Sequence, residues 1–162
     1  MVAVGFLGST LTPWLARLIG DRAVLAAGGC AGAAGFLSLV LFHSSVPQYL
    51  AGALIVGLAT GMFEAATRTL SVEVVDEAET ALSVGVNEMA LSLGAAIGAA
   101  VIGALWSSHT TTQGAVTGTG YRWAWTACAA AALGGAAVAL FFRSPSTAPG
   151  PEAAPTPAGR TA

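Results

Sequence analysis

Five long apolar runs separated by short polar breaks set the pattern of this chain. A helix needs about 20 predominantly apolar residues to cross the hydrocarbon of a bilayer. The runs at 1–18, 23–42, 47–70, 81–106 and 121–142 fit that length. The pattern therefore predicts an all-α, polytopic transmembrane helix bundle of about five spans, filling residues 1–143. Pro13 interrupts the first run, which a membrane helix tolerates when neighbouring groups take up the freed carbonyl.

The breaks have turn chemistry. Arg17, Gly20, Asp21 and Arg22 make a short polar turn, and His43 to Pro47 makes the next, with Pro47 suited to the first turn of a helix. Glu73, Asp76, Glu77 and Glu79 form an acidic connection. The stretch 107–120 is rich in Thr, Gly and Ser and lacks apolar periodicity, which predicts an exposed loop. Residues 144–162 are Pro/Ala-rich and carry five of the seven prolines, which predicts a disordered cytoplasmic tail.

Composition strengthens this picture. Hydrophobic residues make up 55% of the chain and charged ones only 9%, with a mean hydropathy of +0.74. Soluble domains carry about 25% charged residues, so the natural solvent for this surface is a lipid bilayer. The six basic residues are all arginine and the net charge is −2, which gives no footprint for a nucleic-acid partner. Cys30 and Cys128 each sit in an apolar run, where a thiol behaves as a small hydrophobe. No metal-ligand spacing, cofactor loop or nucleophile–base set stands out, so the expectation is a non-enzyme without metal or cofactor. The first run has no basic flank at its start, unlike a secretory signal. It suits a chain that begins partway through a longer ancestor.

Charge also predicts orientation. Alternating five spans puts Arg17, Arg22, Arg68, Arg143 and Arg160 on one side and Arg122 on the other. Excess Lys and Arg marks the cytoplasmic face, so the N-terminus is expected outside a cell membrane and the C-terminus inside. Trp106, Tyr121 and Trp123 then fall at the outer interface, as an aromatic belt would.

A few residues could carry function. Small residues recur four apart at Gly28 and Gly32, at Gly57 and Gly61, and at Ala90, Gly94 and Gly98. This spacing lets membrane helices approach closely, and it predicts packing faces, with a mobile gate as a refinement. Glu64 and Arg68 are spaced i, i+4 and can pair on one helical face, or meet substrate there. Glu88 lies about two turns into the fourth span with no base three or four positions away. Burial without a cation disfavours the charged form, so Glu88 is a candidate proton carrier; the alternative is a structural acid bonded to Asn87 or to a neighbouring helix. His43 and His109 read as ordinary interfacial residues.

Three of these stretches carry a family resemblance. Residues 8–28, GSTLTPWLARLIGDRAVLAAG, resemble the cytoplasmic turn in the C-terminal half of Major Facilitator Superfamily transporters. Residues 83–103, SVGVNEMALSLGAAIGAAVIG, are similar to the penultimate helix of the family's drug:proton antiporters, and 50–62, LAGALIVGLATGM, to the helix before it. The resemblance implies a partial major facilitator fold: the last five helices of a longer transporter, working by alternating access of two halves. It further implies that the third span lines the cavity, that the fourth belongs to the gate, and that the second and fifth are peripheral supports. The implied activity is proton-coupled efflux of small amphipathic compounds, with Glu88, Glu64, Arg68 and Asn87 on the proton or substrate path. The implied partners are the lipid bilayer, protons, a small-molecule substrate and the absent N-terminal half. Two positions depart from the family: Ala16 stands where an acid usually precedes the first arginine, and Leu91 and Ser92 where relatives often place an arginine. The first speaks against charge-relay coupling through that turn. A different class of function also fits the glycine spacing: a non-transporting membrane scaffold that self-associates through its Gly-rich helix faces.

Overall fold

In the computed structural model, residues 2–73 and 79–141 form five helices joined by short connections. The helices are α1 (Val2–Ile19), α2 (Asp21–Leu41), α3 (Val46–Glu73), α4 (Thr80–Ser107) and α5 (Gly118–Phe141). Most of the acidic connection and the whole Pro/Ala-rich tail lie outside the described residues. The all-helical class holds. Four helices, α2 to α5, are long and apolar enough to cross a bilayer. The fifth, α1, has 18 residues and is about 27 Å long, at the short end for a span.

The helix boundaries follow local chemistry. α1 runs straight through Pro13, and the Thr12 hydroxyl donates to the Gly8 carbonyl at 3.0 Å. Arg17 in the last turn of α1 and Asp21 in the first turn of α2 each match the sign their helix end prefers. Only Gly20 separates the two helices, at φ 83° and ψ 151°. That region is essentially reserved for glycine, and holding another residue there costs about 1–3 kcal/mol. Gly20→Ala is therefore expected to lower stability by that amount, read as a fall in the unfolding midpoint of the detergent-solubilised chain.

The 107–120 segment is more ordered than its composition predicts. Thr110 and Val116 form an antiparallel bridge, Gly114 turns at φ 81°, and His109 Nδ1 lies 2.9 Å from the Leu105 carbonyl. Glycine and threonine here close a tight turn between α4 and α5, where apolar periodicity carries no signal.

Packing is built from small residues. α2 sits at the centre of the chain, against α3 on one side and α5 on the other. Its Gly28, Gly29, Gly32 and Gly35 are buried. A methyl group on Gly29 would lie 2.9 Å from Ala136 of α5, and one on Gly35 would lie 2.8 Å from Val56 of α3. The glycines of α2 thus permit close contact with a neighbouring helix on both sides. α1 meets α3 through Gly5, Gly8 and Gly61, and a methyl added at Gly8 or Gly61 would run into the facing backbone. Leu7, Leu11, Trp14 and Leu18 line the opposite, exposed face of α1.

α4 differs from the rest. None of its residues is buried. It is tied to the other helices at its two ends: the Ser83 hydroxyl donates to the Ser71 carbonyl at 2.6 Å, and Trp106 packs on Tyr121 with ring centroids 5.5 Å apart. Between those ties Gly94, Gly98 and Gly103 have nothing within 4 Å of a would-be methyl.

Candidate functional site

The charged residues of α3 and α4 converge at one place. Arg68 Nε donates to Glu88 Oε1 at 2.8 Å, joining the two helices across 20 positions of sequence. Both side chains are about half exposed. This changes two expectations. Arg68 bonds Glu88 rather than Glu64, and Glu88 is not a lone carboxylate. Helical spacing registers only partners on the same helix, whereas this contact forms between α3 and α4.

Asn87 does not complete the cluster. Its Nδ2 is buried and has no hydrogen-bond partner among the described residues, so the bond to Glu88 weighed from sequence does not form. The amide instead borders a cavity of about 500 Å³ between the end of α3 and the start of α4, with Ser71, Ser83 and Glu79 around it.

A larger groove of about 550 Å³ runs between α1 and α3. Gly5, Gly57 and Gly61 form its floor, Phe6 and Val56 contribute apolar wall, and Glu64 and Arg68 stand at one end. Glu64 thus faces the groove one helical turn from Arg68. The Ser9 and Thr60 hydroxyls also line it, but each donates to a carbonyl of its own helix, Phe6 and Val56 respectively, and presents its oxygen as an acceptor. The arrangement suits an amphipathic guest: apolar wall, hydroxyl oxygens and a charged mouth.

The glycine series divides in two. Gly28, Gly32, Gly57 and Gly61 serve packing inside the chain or floor the groove, while Gly94 and Gly98 face nothing in it. Arg17, Asp21 and Arg22 sit together at the α1–α2 turn, away from the Arg68–Glu88 pair in sequence and on different helices. No group of His, Cys, Asp and Glu able to hold a metal ion occurs among the described residues.

Sequence reasoning missed one cluster. Trp125 stacks obliquely with His43, Tyr49 and Tyr121, at centroid distances of 5.5, 6.4 and 5.9 Å. Together with Trp106 these rings link α3, α4, α5 and the α2–α3 turn at one end of the bundle. Trp106, Tyr121 and Trp123 were legible as interfacial residues; Tyr49 and Trp125 carry no local signal because each sits inside an apolar run.

No curated protein and no solved structure matches the chain. The sequence profile of the Major Facilitator Superfamily does, over residues 1–161, nearly its full length. A helical chain with four candidate spans, close glycine-mediated packing and an amphipathic groove with charged residues at its mouth is consistent with that match. It is a multi-pass membrane protein, not an enzyme, and it belongs to the Major Facilitator Superfamily of membrane transporters.

Proposed function

We propose that this chain is the C-terminal, five-helix part of a proton-coupled efflux permease for small amphipathic compounds. The observation that carries the reading is the Arg68–Glu88 ion pair beside the α1–α3 groove. In this reading a proton reaching Glu88 neutralises the carboxylate, weakens its hold on Arg68 and frees α4 to move against α3. Glu64 and the released Arg68 then meet the guest at the mouth of the groove. An unpaired charge in a membrane helix is costly, roughly 2.5–3.5 kcal/mol at the bilayer centre, so protonation and pairing are natural alternatives for Glu88.

The rest of the assignment follows the sequence. The chain would lie in the plasma membrane with its N-terminus outside and its tail in the cytoplasm, paired with an N-terminal transporter half that completes the cavity. The test is substrate-driven proton movement. The chain, reconstituted into proteoliposomes with a complementary half and a trapped pH dye, is expected to move protons when an amphipathic organic cation is added. A substrate flux indifferent to the pH gradient and to protonophores would remove the coupling from the proposal.

A second reading rests on a specific observation: Gly94 and Gly98 of α4 are left uncovered. A scaffold that self-associates through this face would use them. Crosslinking in membranes separates the two readings. Homodimers lost in Gly94→Leu, with no transport by any combination, would favour the scaffold.

A further inference from the structure

We propose that the pocket between the ends of α2 and α5 is a binding site for an anionic phospholipid, with Arg122 holding the headgroup phosphate. The pocket has a volume of about 350 Å³ and is lined by Val40, Thr119, Arg122, Trp123 and Thr126. Val40 is in the last turn of α2, and Thr119 to Thr126 span the first turns of α5. The aromatic cluster of His43, Tyr49, Trp106, Tyr121 and Trp125 gathers at the same end of the bundle. Amphipathic rings of this kind sit at headgroup level, which places the pocket where lipid phosphates are.

Three donors there lack a partner. The Arg122 guanidinium, the Thr119 hydroxyl and the Trp123 indole N–H make no hydrogen bond or ion pair with any described residue. The Thr126 hydroxyl donates to the Arg122 carbonyl at 2.8 Å and leaves the guanidinium free. A planar guanidinium matches a phosphate with two parallel hydrogen bonds. Val40 and the half-exposed Trp123 ring supply apolar wall for the glycerol and upper acyl chain.

The pocket also selects among lipids. None of its lining residues is a carboxylate, so a headgroup ammonium finds no counter-ion there. A phosphate without an attached ammonium, as in phosphatidylglycerol, keeps its full attraction to Arg122. This site is independent of the transport reading: it lies at the start of α5 and uses none of the residues around the Arg68–Glu88 pair.

Native mass spectrometry of the delipidated full chain in detergent tests the proposal. Phosphatidylglycerol and phosphatidylcholine of identical acyl chains are titrated in competition. The expected result is about tenfold preference for phosphatidylglycerol, the scale of one charge-assisted contact. Arg122→Gln should erase that preference and Arg122→Lys should keep part of it. Arg17→Gln, at the other end of the bundle, should leave it unchanged. Equal binding of the two lipids, or undiminished preference in Arg122→Gln, would overturn the proposal. So would displacement of phosphatidylglycerol by equimolar inorganic phosphate, which would make free phosphate the ligand. Should Arg122→Gln fail to fold by circular dichroism, Thr119→Val decides: a loss of about threefold supports the site, and no change overturns it.

Discussion

Leucine in place of Gly61 is expected to detach α1 from α3 and to lower stability by about 1–3 kcal/mol or more. Even the methyl of an alanine at this position would lie 2.7 Å from the Gly5 carbonyl carbon, and closer still to its oxygen. Both sides of that contact are backbone, so no rotamer change can relieve it. Overpacking of this kind costs about 1–3 kcal/mol and sometimes more. The gain in helix propensity from glycine to alanine, about 0.5–1 kcal/mol, offsets only part of it. Gly94→Ala and Gly98→Ala on α4 meet open space, so propensity alone acts and the change should be neutral or up to about 1 kcal/mol stabilising. Unfolding by denaturing detergent, followed by circular dichroism and by a crosslink between α1 and α3, reads both. A Gly61→Leu chain with the parental midpoint and an intact crosslink would mean that α1 does not rest on α3.

The second large effect concerns function more than stability. Arg68 and Glu88 are half exposed rather than sealed in the packed core, and a glutamine at 88 keeps the shape of the side chain and an acceptor oxygen for Arg68. Glu88→Gln should therefore leave the chain folded. In the assembled transporter it should abolish proton-coupled transport, because the amide takes up no proton and can hold Arg68 only as a neutral acceptor, whatever the pH. Exchanging the charges, Arg68→Glu with Glu88→Arg, should restore the link between α3 and α4, as seen by crosslinking Ser71 to Ser83 after cysteine replacement. Coupling should stay lost, since the carboxylate then sits on α3 rather than on α4. Arg68→Glu alone gathers three carboxylates in that region, with Glu64 and Glu88, and should loosen the crosslink most. Full proton-driven efflux in Glu88→Gln would exclude Glu88 from coupling.

The helices themselves were legible because lipid imposes a one-dimensional rule. Every spanning segment must be apolar and about 20 residues long, so spans and breaks are written along the chain. The Arg17–Arg22 turn is an example: charge, glycine and the sign of each helix end all mark it. Glycine spacing, in contrast, announced that close packing would occur without saying where. Gly57–Gly61 and Gly94–Gly98 have the same spacing, yet Gly61 lies against backbone and Gly94 faces open space.

Partnership between distant residues was not legible for the same reason. Glu64 and Arg68 look paired from spacing, because i, i+4 neighbours share a face. The contact that forms is Arg68 with Glu88, and it depends on how α4 is laid against α3. Trp125 meets His43 and Tyr49 in the same way, from a different helix, whereas Tyr121 is its i−4 neighbour on α5.

By itself, then, the amino-acid sequence determined the solvent of this protein, the number and order of its helices and the residues able to carry charge into the membrane. Each of these is a property of one segment and its transfer into lipid. Tertiary structure alone decided which glycines meet a neighbour, which acid Arg68 binds, that α2 is central, and that the Arg122 guanidinium is left in a pocket with no partner among the described residues. Those outcomes depend on distances between segments, and a bilayer that is as apolar as the side chains it surrounds leaves them to close packing and hydrogen bonding between helices.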